Sequence, residues 1–232
     1  MSWARVQPTS GGLGASSNTG TSLSQSFPSA VAVGDLVVVT VVAWCNYAGG
    51  DTIAVSDGHN SYNSTTPKLY NYNSTKYYIS QIFWSVVTTG GTLNITVSTT
   101  GSTAANTNIS FGIAEYSFLS GAIVTAESSN ASSGTASLVT SGNLAFTPGD
   151  LLVAVMSNSF NQTVTAGANF TLGYVQHNAS GLPSGDEYWL SATGSPLAAT
   201  FTVTSSNSWA CSAVAFLAQP AFAPWIFCSD DC

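Results

Sequence analysis

Val33-Gly34-Asp35-Leu36-Val37-Val38-Val39-Thr40-Val41-Val42-Ala43-Trp44-Cys45 is the stretch on which the fold turns. β-Branched residues fill it, and these favour extended backbone. Gly34-Asp35 supplies a turn signal just before it. The apolar run is too short to cross a bilayer, which takes about 20 residues. One parity of the strand holds Leu36, Val38, Thr40, Val42 and Trp44, and the other Val37, Val39, Val41 and Ala43. Both are apolar, whereas a half-buried sandwich strand alternates. The second face therefore needs cover. The cover comes from the other half of the chain, from a loop, or from a neighbouring subunit. In the last case Val37, Val39 and Val41 are the subunit-packing residues.

The same signal recurs further along. Pro148-Gly149-Asp150-Leu151-Leu152-Val153-Ala154 repeats the turn and the apolar run. Trp84-Ser85-Val86 finds a counterpart in Trp189-Leu190-Ser191, and Ile95-Thr96-Val97 in Phe201-Thr202-Val203. Ile113-Ala114-Glu115-Tyr116 matches Val214-Ala215-Phe216-Leu217. Matches in the same order at nearly constant offset predict one unit used twice. Residues 1–120 form the first module, 121–218 the second, and 219–232 an apolar C-terminal tail, with the boundary at Ser120-Gly121.

Strands are predicted over 3–7, 22–27, 35–45, 52–56, 76–87, 93–99 and 108–118. A second series covers 122–128, 136–141, 150–158, 170–176, 186–192, 199–205 and 209–218. Gly, Asn, Ser and Asp divide them, and no stretch shows a helical 3.6-residue period. The fold class is all-β: a tandem antiparallel β-sandwich, Ig-like or jelly-roll-like, of two related modules.

Charge narrows the function. Only 6% of residues are charged, against about 25% in ordinary domains. Arg5, Lys68 and Lys76 are the only Lys or Arg, and the formal net charge is −7. Nucleic acid and anionic membrane surfaces need clustered cations, so neither is an expected partner. Neutral partners, proteins or glycans, remain. Met1-Ser2-Trp3-Ala4-Arg5-Val6 has no apolar h-region, so no signal peptide is expected. That fits export by cell lysis inside an assembled particle, or a signal removed beforehand.

Candidate chemistry is thin. His59 and His177 sit in turn-like segments, and no Gly-x-Ser-x-Gly elbow is present. Asp186 and Glu187 are adjacent on a strand, so their side chains face opposite sides rather than one cleft. Asp35 and Asp150 recur at the same turn, which points to turn chemistry. Asp51, Asp57 and Asn60 are the nearest approach to a calcium loop but too few for one. No cofactor, metal or catalytic residue is predicted. Cys45 and Cys211 read as buried free thiols in different modules, while Cys228 and Cys232 could bridge each other or a second chain. Tyr62, Tyr70 and Tyr72 crowd one loop beside Asn and Ser, a composition suited to glycans.

The order Gly-Asp-Leu with a Val run, Val55-Ser56-Asp57-Gly58-His59-Asn60-Ser61-Tyr62, Trp84-Ser85-Val86, Ile95-Thr96-Val97 and Ile113-Ala114-Glu115-Tyr116-Ser117 resembles β-sandwich modules of tailed-phage virion proteins and bacterial surface proteins. The resemblance covers residues 1–120 well and 121–218 more loosely. It implies a non-enzymatic accessory role: capsid decoration or cement, or a tail or fibre component, located in the virion. The partners would be other virion proteins, with homo-oligomers formed. The alternative is an extracellular or cell-surface glycan-binding module or adhesin. The tail departs from the pattern. Pro220 and Pro224 bar a central strand, and Phe222, Trp225, Ile226 and Phe227 are the expected partner-docking residues.

Overall fold

The computed structural model describes residues 3–17, 20–45, 51–73, 76–101, 107–118, 122–159, 162–176 and 183–220. The strands are β1 (Ala4–Gln7), β2 (Leu13–Ser17), β3 (Ser22–Ser26), β4 (Leu36–Cys45), β5 (Thr52–Ser56), β6 (Asn63–Ser64), β7 (Lys68–Asn71) and β8 (Tyr77–Val86). They continue with β9 (Asn94–Thr100), β10 (Asn108–Ser117), β11 (Ala122–Leu144), β12 (Leu151–Asn158), β13 (Val164–Ala166), β14 (Thr171–Gln176), β15 (Ser184–Trp189) and β16 (Leu197–Pro220). There is no helix among the described residues. Every strand pairing is antiparallel.

The described strands form three sheets. One runs β1-β10-β4-β8-β6, with β2 also on β10 and β7 also on β8; a small one runs β3-β9-β5. The third runs β11-β16-β12-β15-β14, with β13 on β16. β4 lies between β10 and β8, and its two apolar faces meet two different covers. Val37, Val39 and Val41 pack against Phe27, Ile95 and Val97 of the first half. Leu36, Val38 and Val42 pack against Leu151, Val153, Val155, Val214 and Phe216 of the second. This corrects the subunit-packing expectation: Val37, Val39 and Val41 are each 0% exposed. The chain buries both faces itself, because its own small sheet and its own second half supply enough apolar surface.

The two halves share strand order and register. Leu36 pairs with Tyr116 as Leu151 pairs with Phe216. Val55 faces Val97 as Val164 faces Val203. Gly34 N donates to Val87 O and Val87 N to Asp35 O; Gly149 N donates to Ala192 O and Ala192 N to Asp150 O. A bulge in β1 between Arg5 and Gln7 reappears in β11 between Ala126 and Ser128. One expected match is out by a residue. Val38 faces Trp84 and Val153 faces Tyr188, so the counterpart of Trp84 is Tyr188 and not Trp189. The second half carries one more residue before its turn closes, and Ser191 absorbs it at φ 59°.

A second correction concerns strand breaks. The segments predicted at 122–128 and 136–141 are one strand, β11, and those at 199–205 and 209–218 are one strand, β16. The two pair along nearly their whole length, with register shifts at Ala126/Ser128, Ala136/Leu138 and Thr140/Asn143. Such bulges bend a ribbon without breaking it. Its outer half brings Val139, Phe201 and Val203 over Leu152, Ala154 and Met156, closing the second core.

The halves pack sheet against sheet. Trp84 meets Phe216 at 5.5 Å between ring centroids and 72°, and Tyr116 meets Tyr188 at 5.9 Å and 63°. Exchanging the halves carries one pair onto the other. Hydroxyls satisfy each other across the same contact: Ser80 Oγ and Ser212 Oγ lie 2.9 Å apart, and Ser110 Oγ and Ser184 Oγ 2.8 Å.

Candidate functional site

The loop after β5, the edge strand β6 and the end of β8 meet the start of β11 around a cleft of about 320 Å3. Its lining includes His59, Ser61, Asn63, Trp84, Val86 and Val124. The even residues of β8 face the second half, as Ile82 and Trp84 do. Trp84 stands at the margin of that packing, only partly buried, and Val86 beyond it is exposed.

Two side chains fix the wall. Asp57 Oδ1 accepts from His59 N at 2.8 Å and Asn60 N at 2.7 Å; its Oδ2 accepts from Asn60 Nδ2 at 2.8 Å and Tyr62 Oη at 3.2 Å. Burial works to raise the Asp57 carboxyl, but these hydrogen bonds outweigh it and hold the pKa below the ordinary value. Asn60 Oδ1 accepts from Thr88 N at 2.9 Å, Thr88 Oγ1 at 3.1 Å and Thr89 N at 3.0 Å, and its Nδ2 donates to Thr89 O at 3.1 Å. The loop is thus tied to itself and to the next turn. His59, Ser61 and Asn63 line the cleft and are exposed, and their side chains make no hydrogen bond among the described residues.

The acids are engaged elsewhere. Glu115 accepts from Gln7 Nε2 at 2.6 Å and Ala32 N at 2.9 Å. Burial, with Glu115 beside it, raises the Asp35 carboxyl to about 7. In the second half Thr147 N donates to Asp150 Oδ2 at 3.0 Å and to Glu127 Oε2 at 2.9 Å. Burial, with Glu127 adjacent, raises Asp150 to about 7. Asp186 and Glu187 face opposite sides of β15. Asp186 enters the contact between the halves, where Thr40 Oγ1 donates to it at 2.6 Å and Tyr174 N at 2.8 Å. Burial still raises its pKa. Glu187 enters the second core, accepts from Gly167 N at 2.8 Å, and is pushed by burial to about 8. Asp51 and Asp57 lie at opposite ends of β5, and Asp57 and Asn60 are spent on the loop, so the three do not gather around an ion.

The tyrosines do not form one platform. Tyr62 packs into the first core and donates to Asp57. Tyr70 packs at the contact between halves, its Oη 3.0 Å from Thr135 Oγ1. Only Tyr72 is well exposed, edge-on to Tyr78 at 5.5 Å. Cys45 and Cys211 are buried free thiols, and burial pushes Cys45 up to about 12. Phe222, Trp225, Ile226, Phe227, His177, Cys228 and Cys232 lie outside the described residues. Sequence reading missed the cleft. The polar run from Asp57 to Asn63 was its visible signal, but Val124 comes from the other half of the chain.

No protein-family model, no curated protein and no solved structure matches this chain.

Proposed function

We propose that the chain is a non-enzymatic structural protein of a phage virion. It decorates or cements the capsid, or builds part of the tail or a fibre, through contacts with other virion proteins and with copies of itself. The supporting observation is the order of pairing, used twice. Taking β1 and β2 as the first strand of a unit and β10 as the last, first pairs with last (β2 with β10). Next inward β3 pairs with β9, and then β4 with β8. That is a long hairpin rolled into two sheets, the pattern of a jelly roll. The second half keeps the hairpin intact as β11 and β16, with β12 on β15 inside it. We read both halves as jelly-roll-like sandwich modules in preference to Ig-like ones. Jelly rolls serve as viral capsid domains, and this step is an analogy of fold, not of site.

Two further features support assembly. The acids described above are engaged in turns, cores and the inter-half contact rather than paired across the cleft. The longest strand runs to Pro220, after which Phe222, Trp225, Ile226 and Phe227 follow at once, and these residues dock on the partner. Sedimenting assembled particles with the purified chain tests the reading. Saturable co-sedimentation is expected, and a chain that stays in the supernatant with every particle component offered contradicts it.

A further inference from the structure

We propose that the cleft between β6, β8 and β11 binds a neutral saccharide, a function beyond assembly. The argument begins with the pseudo-symmetry of the halves. Arg5 pairs with Tyr116 as Ala126 pairs with Phe216, so Arg5 and Ala126 are equivalent, and two residues earlier so are Trp3 and Val124. Tyr188 is the counterpart of Trp84. Against the second half, Arg5 of the first lies over the Tyr188 ring at 4.5 Å, and Trp3 is buried, 5.1 Å from Phe118 between ring centroids. The place equivalent to the cleft therefore carries Trp and Arg. Against the first half the same places are taken by Val124 and Ala126 of the second, and the Trp84 side keeps its opening.

The chemistry of the opening selects its occupant. Trp84, Val86 and Val124 give an apolar floor, while His59, Ser61 and Asn63 give unspent donors and acceptors at the rim. An apolar face edged by hydrogen-bonding groups matches the two sides of a sugar ring. Neither a carboxylate nor a Lys or Arg is in the lining, so nothing favours a charged sugar or a phosphate. A peptide strand would need a sheet edge to extend, and β6 offers only Asn63–Ser64. The hydrogen bonds of Asp57 and Asn60 hold the rim before any ligand arrives, which lowers the entropy cost of binding.

The test is saturation-transfer NMR on the full chain with maltotriose, cellotriose and chitotriose, and with sialyllactose as the charged control. At least one neutral trisaccharide binds saturably, and sialyllactose does not compete. Val124→Trp, which installs the residue of the equivalent place, weakens binding at least about tenfold, a factor set by 1.4 kcal/mol. Asn63→Ala, which removes no hydrogen bond of the fold, does likewise with its melting temperature unchanged. The proposal is overturned if no neutral trisaccharide binds, if only the charged one does, or if Asn63→Ala binds as the parent chain does. It needs no particle, so its failure leaves the assembly reading standing, and the reverse.

Discussion

Asp35 and Asp150 close the same turn in the two halves, yet each meets a glutamate delivered by a different strand. Asp35 N bonds Ala32 O at 3.3 Å, and Asp150 N bonds Thr147 O at 3.1 Å. Glu115 reaches the first turn from β10, whereas Glu127 reaches the second from the bulge in β11. Burial disfavours the charged form of each aspartate, and the neighbouring glutamate adds to the effect.

The consequence is a stability that falls as pH rises. Asp35 and Asp150 move from an ordinary value of 3.8 to about 7 in the fold, and Glu187 from 4.5 to about 8. The folded chain holds these protons where the unfolded chain has released them, so stability declines from about pH 4 to pH 8. Asp57 and Glu127 shift the other way and act at the acid end. The melting temperature is therefore higher at pH 5 than at pH 8, and Asp35→Asn with Asp150→Asn flattens the slope. A melting temperature that climbs from pH 5 to pH 8 contradicts the account.

Phe216 joins the halves through Trp84, and its burial is complete. Phe216→Ala leaves a cavity at that contact and costs about 3–5 kcal/mol. Calorimetry of the parent chain is expected to show one transition, because the apolar cluster spans both halves. Two well-separated transitions in the parent would mean that the contact contributes little.

The fold's centre was legible because both faces of 36–45 are apolar, and such a strand has to be buried on each side. The turn at Asp35 and Asp150 was legible because Gly-Asp-Leu needs no tertiary context. The continuity of β11 was not. Ser129, Ser132, Ser133 and Gly134 read as a break between strands, but β16 pairs with them and overrides their local preference. The slip between Trp84 and Trp189 arose because two tryptophans align by identity, while the extra residue near Ser191 shifts the register. At the cleft, Trp84 was visible only as one half of a repeated motif. Its opening depends on the small size of Val124, which no local pattern relates to it.

DNA binding is expected to be absent at physiological salt. Arg5 lies over Tyr188 at 4.5 Å and Lys76 Nζ over Trp44 at 4.7 Å, so two of three cations already face rings. Little counterion release remains to drive association. A salt-dependent gel shift at micromolar protein would contradict this.

Docking through the residues that follow Pro220 is what we propose, and a chain ending at Pro220 puts it to the test. A proline has fewer conformations to lose than other residues, so Pro220 and Pro224 lower the entropy cost that docking would carry. Its aromatic side chains contribute about 25 cal/mol per Å2 of apolar area buried. The measurement is particle co-sedimentation and melting temperature on the full chain and on residues 1–220, which keeps every β16 residue paired with β11. The account predicts that the truncated chain melts within a few degrees of the parent and no longer sediments with particles. A truncated chain that sediments as before, or that loses most of its thermal stability, contradicts it.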